Sequence, residues 1–326
     1  MPLGPGSSLS DMTHSHSRPF DSETPSPDVS EHPSGTALVL AGAGAAGSAW
    51  QLGLVAGLSD HGVDLTAADV IIGTSAGSTV AAQITSGMKP AELYAAILAE
   101  PPRPQGTGLG PRHGHGHLSG PSYMEWSAGI IDSARDAADM RRRMAAAARE
   151  RDVTDGPGQS RWRDIVAARL PSHDWPRQRV LITAVDADTA EPVVFDRRSG
   201  IDLVDAVAAS TSNGFGGTYR IGERRYINGG YRRSSNADLA TGYRRVLILE
   251  PFGGRSRQPG EWGMDLATQV GELRASGSEV QTVFPDAGAG DVFNANALDP
   301  STRLPAARGG YDQGRALADQ LAAFWR

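Results

Sequence analysis

Apolar positions fall into two patterns along the chain. Three short unbroken runs stand out: Ala37-Leu38-Val39-Leu40-Ala41, Val70-Ile71-Ile72 with Asp69 and Gly73 at its ends, and Arg245-Val246-Leu247-Ile248-Leu249. Runs of this length without alternation read as strands covered on both faces, as in a parallel sheet. After the first run, Trp50, Leu54, Val55 and Leu58 recur at helical spacing and predict a helix over residues 48–60. A second helix, over 78–86, follows the second run. Strand, glycine turn, helix, strand, sharp turn and helix in succession argue for a parallel sheet with helices on its faces. Further along, the pattern predicts strands at 179–184, Pro192–Phe195, 225–227 and, as an edge strand, 280–284. It predicts helices at 127–151, 203–210, 262–277 and 313–326. No internal repeat is present.

Residues 1–35 are rich in Ser, Pro, His and Asp and bury too little apolar surface to offset ordering entropy; they are expected to be disordered. Residues 36–326 are expected to form one α/β domain. Gly-Pro-Gly-Ser-Ser at 4–8 reads as an expression scar. Residues 101–121, dense in Pro, Gly and His, read as a loop long enough to act as a substrate lid.

Composition narrows the function. The chain has 326 residues, 39% hydrophobic and 21% charged, which suits a globular protein with a sizeable core. A net charge of -6 gives no electrostatic case for nucleic acid. Lys89 is the only lysine, a coding bias towards arginine that fits a GC-rich genome. The absence of cysteine excludes a disulfide framework, a thiolate nucleophile and Cys-ligated zinc. No signal-peptide pattern and no membrane-spanning apolar run are seen, so a cytoplasmic protein is expected.

Gly73-Thr74-Ser75-Ala76-Gly77 fits Gly-x-Ser-x-Gly. An apolar strand leads in and a helix leads out, the context of a nucleophile elbow. Such a turn holds the serine in strained backbone at the C-terminal edge of the sheet, over a helix N-terminus that favours developing negative charge. The bland alternative is an ordinary glycine-rich turn; the flanking elements favour the elbow, with Gly73 and Gly77 its small flanks.

Gly42-Ala43-Gly44-Ala45-Ala46-Gly47 lies between a strand and a helix and has two readings. As a dinucleotide fingerprint it requires an acidic residue at a strand tip about 20 residues on. Asp64 has the spacing but sits in a poor strand, and the next clear strand ends at the serine instead. As an oxyanion hole, backbone N–H groups at Gly42, Ala43 and Gly44 would grip a tetrahedral intermediate. Adjacent parallel strands would place this loop beside Ser75, so the second reading explains both motifs together.

The two motifs in this order resemble the opening of patatin-like phospholipases. Tyr226-Ile227-Asn228-Gly229-Gly230, followed by Ser235-Asn236-Ala237-Asp238, resembles the segment carrying that family's Asp-Gly-Gly motif. The likeness covers about residues 36–320 and is strongest to the actinobacterial branch of this family of bacterial serine acyl hydrolases. It implies a three-layer α/β/α fold with a mainly parallel central sheet, and a Ser–Asp dyad without histidine or cofactor. Ser75 would attack an ester or thioester carbonyl of a lipid, with peripheral membrane contact, to form an acyl-enzyme.

The resemblance places Asn228 where the family has its dyad aspartate. An amide can orient the Ser75 hydroxyl but cannot accept its proton. Three explanations stand open: replacement that traps substrate or silences the enzyme; natural loss of hydrolysis, with acyl transfer, cyclisation or acyl-ligand binding retained; or deamidation at Asn228-Gly229. Two further departures concern loops. Residues 211–217 lack the family's proline, which should make them line the acyl site differently. Ala43 and Ala46 replace a glycine and a basic residue, and Ala43 would be strained at positive φ.

Other groups have blander readings. Asp186 and Asp188 fall in a turn, and Asp238 reads as a helix cap. His113, His115 and His117 alternate but sit among glycines with no acidic co-ligand. Arg141-Arg142-Arg143 reads as a solvated helix face before an anionic-lipid patch. Tyr123 and Trp126 read as packing before an acyl-entry rim.

Overall fold

The computed structural model describes residues 33–101, 120–152 and 157–326. The histidine triplet, most of the 101–121 loop and residues 1–32 therefore lie outside the described residues. Eight strands form one sheet: β1 (Thr36–Leu40), β2 (Val70–Thr74), β3 (Arg179–Asp186), β4 (Pro192–Phe195), β5 (Tyr219–Ile221), β6 (Arg224–Asn228), β7 (Arg245–Leu249) and β8 (Glu279–Val283). Neighbours run β5-β6-β3-β2-β1-β7-β8, with β4 also paired to β3. The contacts β3–β2–β1–β7–β8 are parallel; those of β4, β5 and β6 are antiparallel.

Strand alternation divides the core into two faces. Leu38, Leu40, Ile71, Ile182, Leu247 and Leu249 face one apolar cluster. That layer contains α1 (Gly44–Ser59), α2 (Ala76–Ile84), α3 (Pro90–Leu98) and, from later in the chain, α6 (Pro157–Ala167), α7 (Leu203–Thr211) and α9 (Arg303–Trp325). Ala37, Val39, Val70, Ile72, Val246 and Ile248 face the other side, against α8 (Leu266–Ala275). The result is the three-layer α/β/α arrangement with a mainly parallel sheet. A third cluster joins α4 (Gly120–Ser133) and α5 (Ala137–Arg149) to Val185 and Ile227 at the far ends of β3 and β6.

Several boundaries differ from expectation. The single helix expected at 127–151 is two, because Asp136 caps α5 by accepting the Asp139 N–H at 2.7 Å. The helix expected at 262–277 starts only at Leu266: Gly263 takes φ 63°, and Asp265 accepts the Thr268 N–H to begin α8. The last helix starts ten residues earlier than expected, through Gly309, Gly310 and Gly314. These glycines let α9 lie directly on α1; a Cβ at Gly310 would sit 2.2 Å from the Trp50 carbonyl oxygen. Weakly patterned α3, α6 and β5 were not legible as elements. The α6 helix is tied down by Trp162, whose indole N–H donates to the Ala208 carbonyl.

Candidate active site

The Gly73–Gly77 turn is a strained elbow. Ser75 sits at φ 52° and ψ -123°, one of three non-glycine residues at positive φ among the described residues. Such a conformation costs about 1–3 kcal/mol and persists only where its surroundings fix it. Here the Ser75 N–H donates to Ser210 Oγ at 2.9 Å, and its carbonyl accepts from the Ser78 N–H at 2.9 Å and Ser78 Oγ at 2.5 Å. The flanking glycines are demanded by close approach. A Cβ at Gly77 would stand 2.0 Å from the Leu40 carbonyl oxygen, and one at Gly73 would stand 2.6 Å from Ser78 Cα.

Strand register brings Asn228 to this serine. On β3, residues 179–183 pair with β2, 182–185 with β4, and 184–186 with β6. The overlaps put β4 on one edge of β3, and β2 and β6 end to end on the other. Thr74 pairs with Thr183 and Asn228 with Ala184, so the two strand tips meet from opposite directions. Asn228 Nδ2 lies 2.8 Å from Ser75 Oγ. The amide has one orientation open to it: Oδ1 accepts the Gly230 N–H at 2.8 Å, so Nδ2 must face the serine.

Beneath the junction lies a buried polar knot. Asn236, fully buried at φ 56°, donates through Nδ2 to Thr74 Oγ1 (2.9 Å), Thr183 Oγ1 (3.2 Å) and the Gly229 carbonyl (3.0 Å). One side chain thus joins the residue before Ser75 to the residue after Asn228. Asn236 stands in the run that resembles the family's Asp-Gly-Gly segment, but nothing in the sequence marks its clamping role, and Ser210 lies in an unremarkable local pattern.

The glycine loop comes to the same place. Parallel β1 and β2 pair from Ala37↔Val70 to Leu40↔Gly73, which sets Gly42 against the elbow. A Cβ on Gly42 would lie 2.7 Å from Ser75 Cβ and 3.4 Å from its Oγ. Among the described residues, the N–H groups of Gly42, Ala43, Gly44 and Ala76 have no hydrogen-bond acceptor. Ala43 adopts extended backbone, φ -165°, so the strain conceivable for an alanine there does not arise. The positive φ, 57°, falls on Gly44. Gln51 supports the loop by donating to the Ala41 carbonyl at 2.8 Å.

Ser75 and Asn228 open into a cleft of about 2400 Å³, lined on its apolar side by Leu52, Leu93, Ile97 and Phe293. The other acidic residues considered from sequence are occupied elsewhere. Asp186 Oδ1 accepts from the Asp188 and Thr189 N–H groups, Asp188 pairs with Arg225, and Asp238 pairs with Arg232 rather than capping a helix. Arg142 and Arg143 bind Asp139, while Arg141 donates to the Ala190 carbonyl. Tyr123 and Trp126 pack with Phe215 under the Arg151 guanidinium.

Glu250, just past β7, is buried, and burial pushes its carboxyl up to about 7 against hydrogen bonds from Ser235 Oγ and the Phe252 N–H. A carboxyl that holds its proton more tightly when folded stabilises the fold at low pH. That contribution fades as pH rises from the ordinary carboxylate range through about 7. At about 1.4 kcal/mol per pKa unit, roughly 3 kcal/mol is at stake. Chemical denaturation between pH 5 and 8 (roughly the span of the shift) should show wild type losing stability with rising pH and Glu250→Gln losing much less. Parallel curves would contradict this.

The chain matches the model of the Patatin-like phospholipase family over residues 38–241, a span holding the glycine loop, Ser75 and Asn228. It belongs to that family. Patatin-like phospholipases act on lipid esters. Among solved structures, VipD from Legionella pneumophila is 14% identical with a TM-score of 0.41, over 88% of this chain and 67% of that one. The type III effector protein ExoU is 16% identical with a TM-score of 0.40, over 88% of this chain and 53% of that one. The chain thus spans about two thirds of the one and half of the other. No curated protein matches it. Among the described residues no helix is long and apolar enough to cross a membrane.

Proposed function

We propose that this protein is a lipid acyl hydrolase that forms an acyl-enzyme on Ser75, with hydrolysis held back by Asn228 in the dyad position. The observation that carries the reading is the convergence of Ser75 Oγ with the free N–H groups of the glycine loop and with Asn228 Nδ2 at 2.8 Å. The N–H groups of Gly42, Ala43 and Gly44, with that of Ala76, would bind the oxyanion as the serine adds to an ester carbonyl. An aspartate at 228 would keep the Gly230 contact with one oxygen and accept the serine proton with the other. Asn228 instead donates to the serine oxygen, occupying a lone pair and leaving the proton without a base. The substrate is a lipid or acyl ester met in solution or at a membrane surface, and the reaction needs no cofactor. The expected location is cytoplasmic.

That same donor contact favours a second reading, a fold retained for acyl transfer, cyclisation or acyl-ligand binding. A fluorophosphonate probe separates the two. Labelling of Ser75 in wild type, or its appearance in Asn228→Asp, supports the hydrolase. A serine that stays unlabelled in both supports the retained fold.

A further inference from the structure

The acyl cleft carries charge opposite to that of the whole chain. Among the described residues its lining holds eight arginines against three carboxylates, in a protein of net charge -6. Two of these arginines, Arg255 and Arg257, differ from Arg149, Arg225 and Arg303 in the same lining. They lie on the loop that follows β7, two residues apart, and among the described residues their guanidiniums donate only to neutral acceptors. Arg255 donates through Nε to the Phe252 carbonyl and through Nη2 to the Phe293 carbonyl, each at 2.9 Å. Arg257 donates through Nη1 to Ser127 Oγ (2.9 Å) and Met124 Sδ (3.3 Å), and through Nη2 to the Met124 carbonyl (2.8 Å).

Among the described residues no carboxylate pairs with either guanidinium, whereas Arg149, Arg225 and Arg303 in the same cleft all have one. Neutral acceptors hold the two groups in place without cancelling their charge. Nη1 of Arg255 and Nε of Arg257 keep N–H donors to spare. Two anchored guanidiniums lining the same cleft, without a carboxylate partner among the described residues, are suited to a planar or tetrahedral oxyanion. A choline headgroup, which places a cation beside its phosphate, would lose part of that attraction.

We propose that Arg255 and Arg257 form an anion subsite that selects acyl esters carrying a net negative headgroup, such as a phosphate monoester, over zwitterionic ones. The proposal rests on the cleft being the acyl-ester site, which fluorophosphonate labelling of Ser75 tests separately. The test is calorimetric titration of the full chain with monomeric dihexanoyl phosphatidate, dihexanoyl phosphatidylcholine and inorganic phosphate. Phosphatidate should bind at least about tenfold more tightly than phosphatidylcholine, the scale of one lost charge-assisted pair. In Arg255→Gln/Arg257→Gln that preference should vanish, with phosphatidate losing more affinity than phosphatidylcholine and the fold intact by circular dichroism. Arg255→Lys/Arg257→Lys should retain part of it. Equal binding of the two lipids, no binding of either, or a preference untouched by the double glutamine variant would overturn the proposal. Inorganic phosphate binding as tightly as phosphatidate would assign the pair to a free anion instead of a lipid headgroup, and would overturn it too.

Discussion

Replacing Asn228 by aspartate should raise acyl-ester hydrolysis by about 10²- to 10⁴-fold, the usual worth of a positioned general base. The change is isosteric. Oδ1 would keep the Gly230 N–H at 2.8 Å, and the atom now donating to Ser75 Oγ would become an oxygen at the same 2.8 Å. Nothing else has to move, because the Asn236 clamp and the β3 register fix both strand tips. The gain should lie in kcat, with KM little changed, since the new carboxylate acts on the serine proton and not on the bound acyl chain. Activity should also require the ionised aspartate and fall on acidification through its titration. Initial rates on a short-chain p-nitrophenyl ester across pH give all three quantities. Equal rates for the two proteins would mean that the base lies elsewhere.

The second large effect concerns the elbow itself. Gly77→Ala would drive a methyl group to within 2.0 Å of the Leu40 carbonyl oxygen. The obstacle is the backbone of β1, the strand that leads to the glycine loop, so the clash cannot be relieved by a rotamer. Either α2 lifts away from the sheet or β1 shifts, and both separate Ser75 from its cradle. A loss of at least about 3 kcal/mol is expected for such an overpacked contact. For a domain of this size that corresponds to roughly 6 °C or more in Tm. Gly271→Ala is the control: it lies within α8 with nothing within 4 Å of the added Cβ, and should be stabilising by about 0.5–1 kcal/mol. Differential scanning calorimetry of both variants decides the matter, and a Gly77→Ala protein as stable as wild type would contradict the packing account.

Legibility followed the source of each element's stability. The β1, β2 and β7 strands read directly from sequence because burial on both faces leaves an unbroken apolar run. Both glycine motifs were visible for the same reason, since each is bounded by such a strand. The start of α9 was hidden because its stability comes from contact with α1 through glycines that locally discourage a helix. The break between α4 and α5 rests on a single Asp136 cap within an otherwise helical composition. At the site, Ser75, Gly42 and Asn228 could be named from motifs. Their convergence depends on β2 and β6 sharing one edge of β3, a long-range pairing that no local pattern encodes. Ser210 and Asn236 act through that tertiary arrangement alone, so their positioning roles emerge only with the fold.

One hydroxyl, set between main-chain donors and residue 228, carries the proposed chemistry. The most direct measurement is ester turnover by Asn228→Asp with and without the added change Ser75→Ala. Turnover in the double variant should fall to the uncatalysed background while the protein keeps its fold by circular dichroism. Hydrolysis that survives the loss of this hydroxyl would show that the acyl group is never carried there.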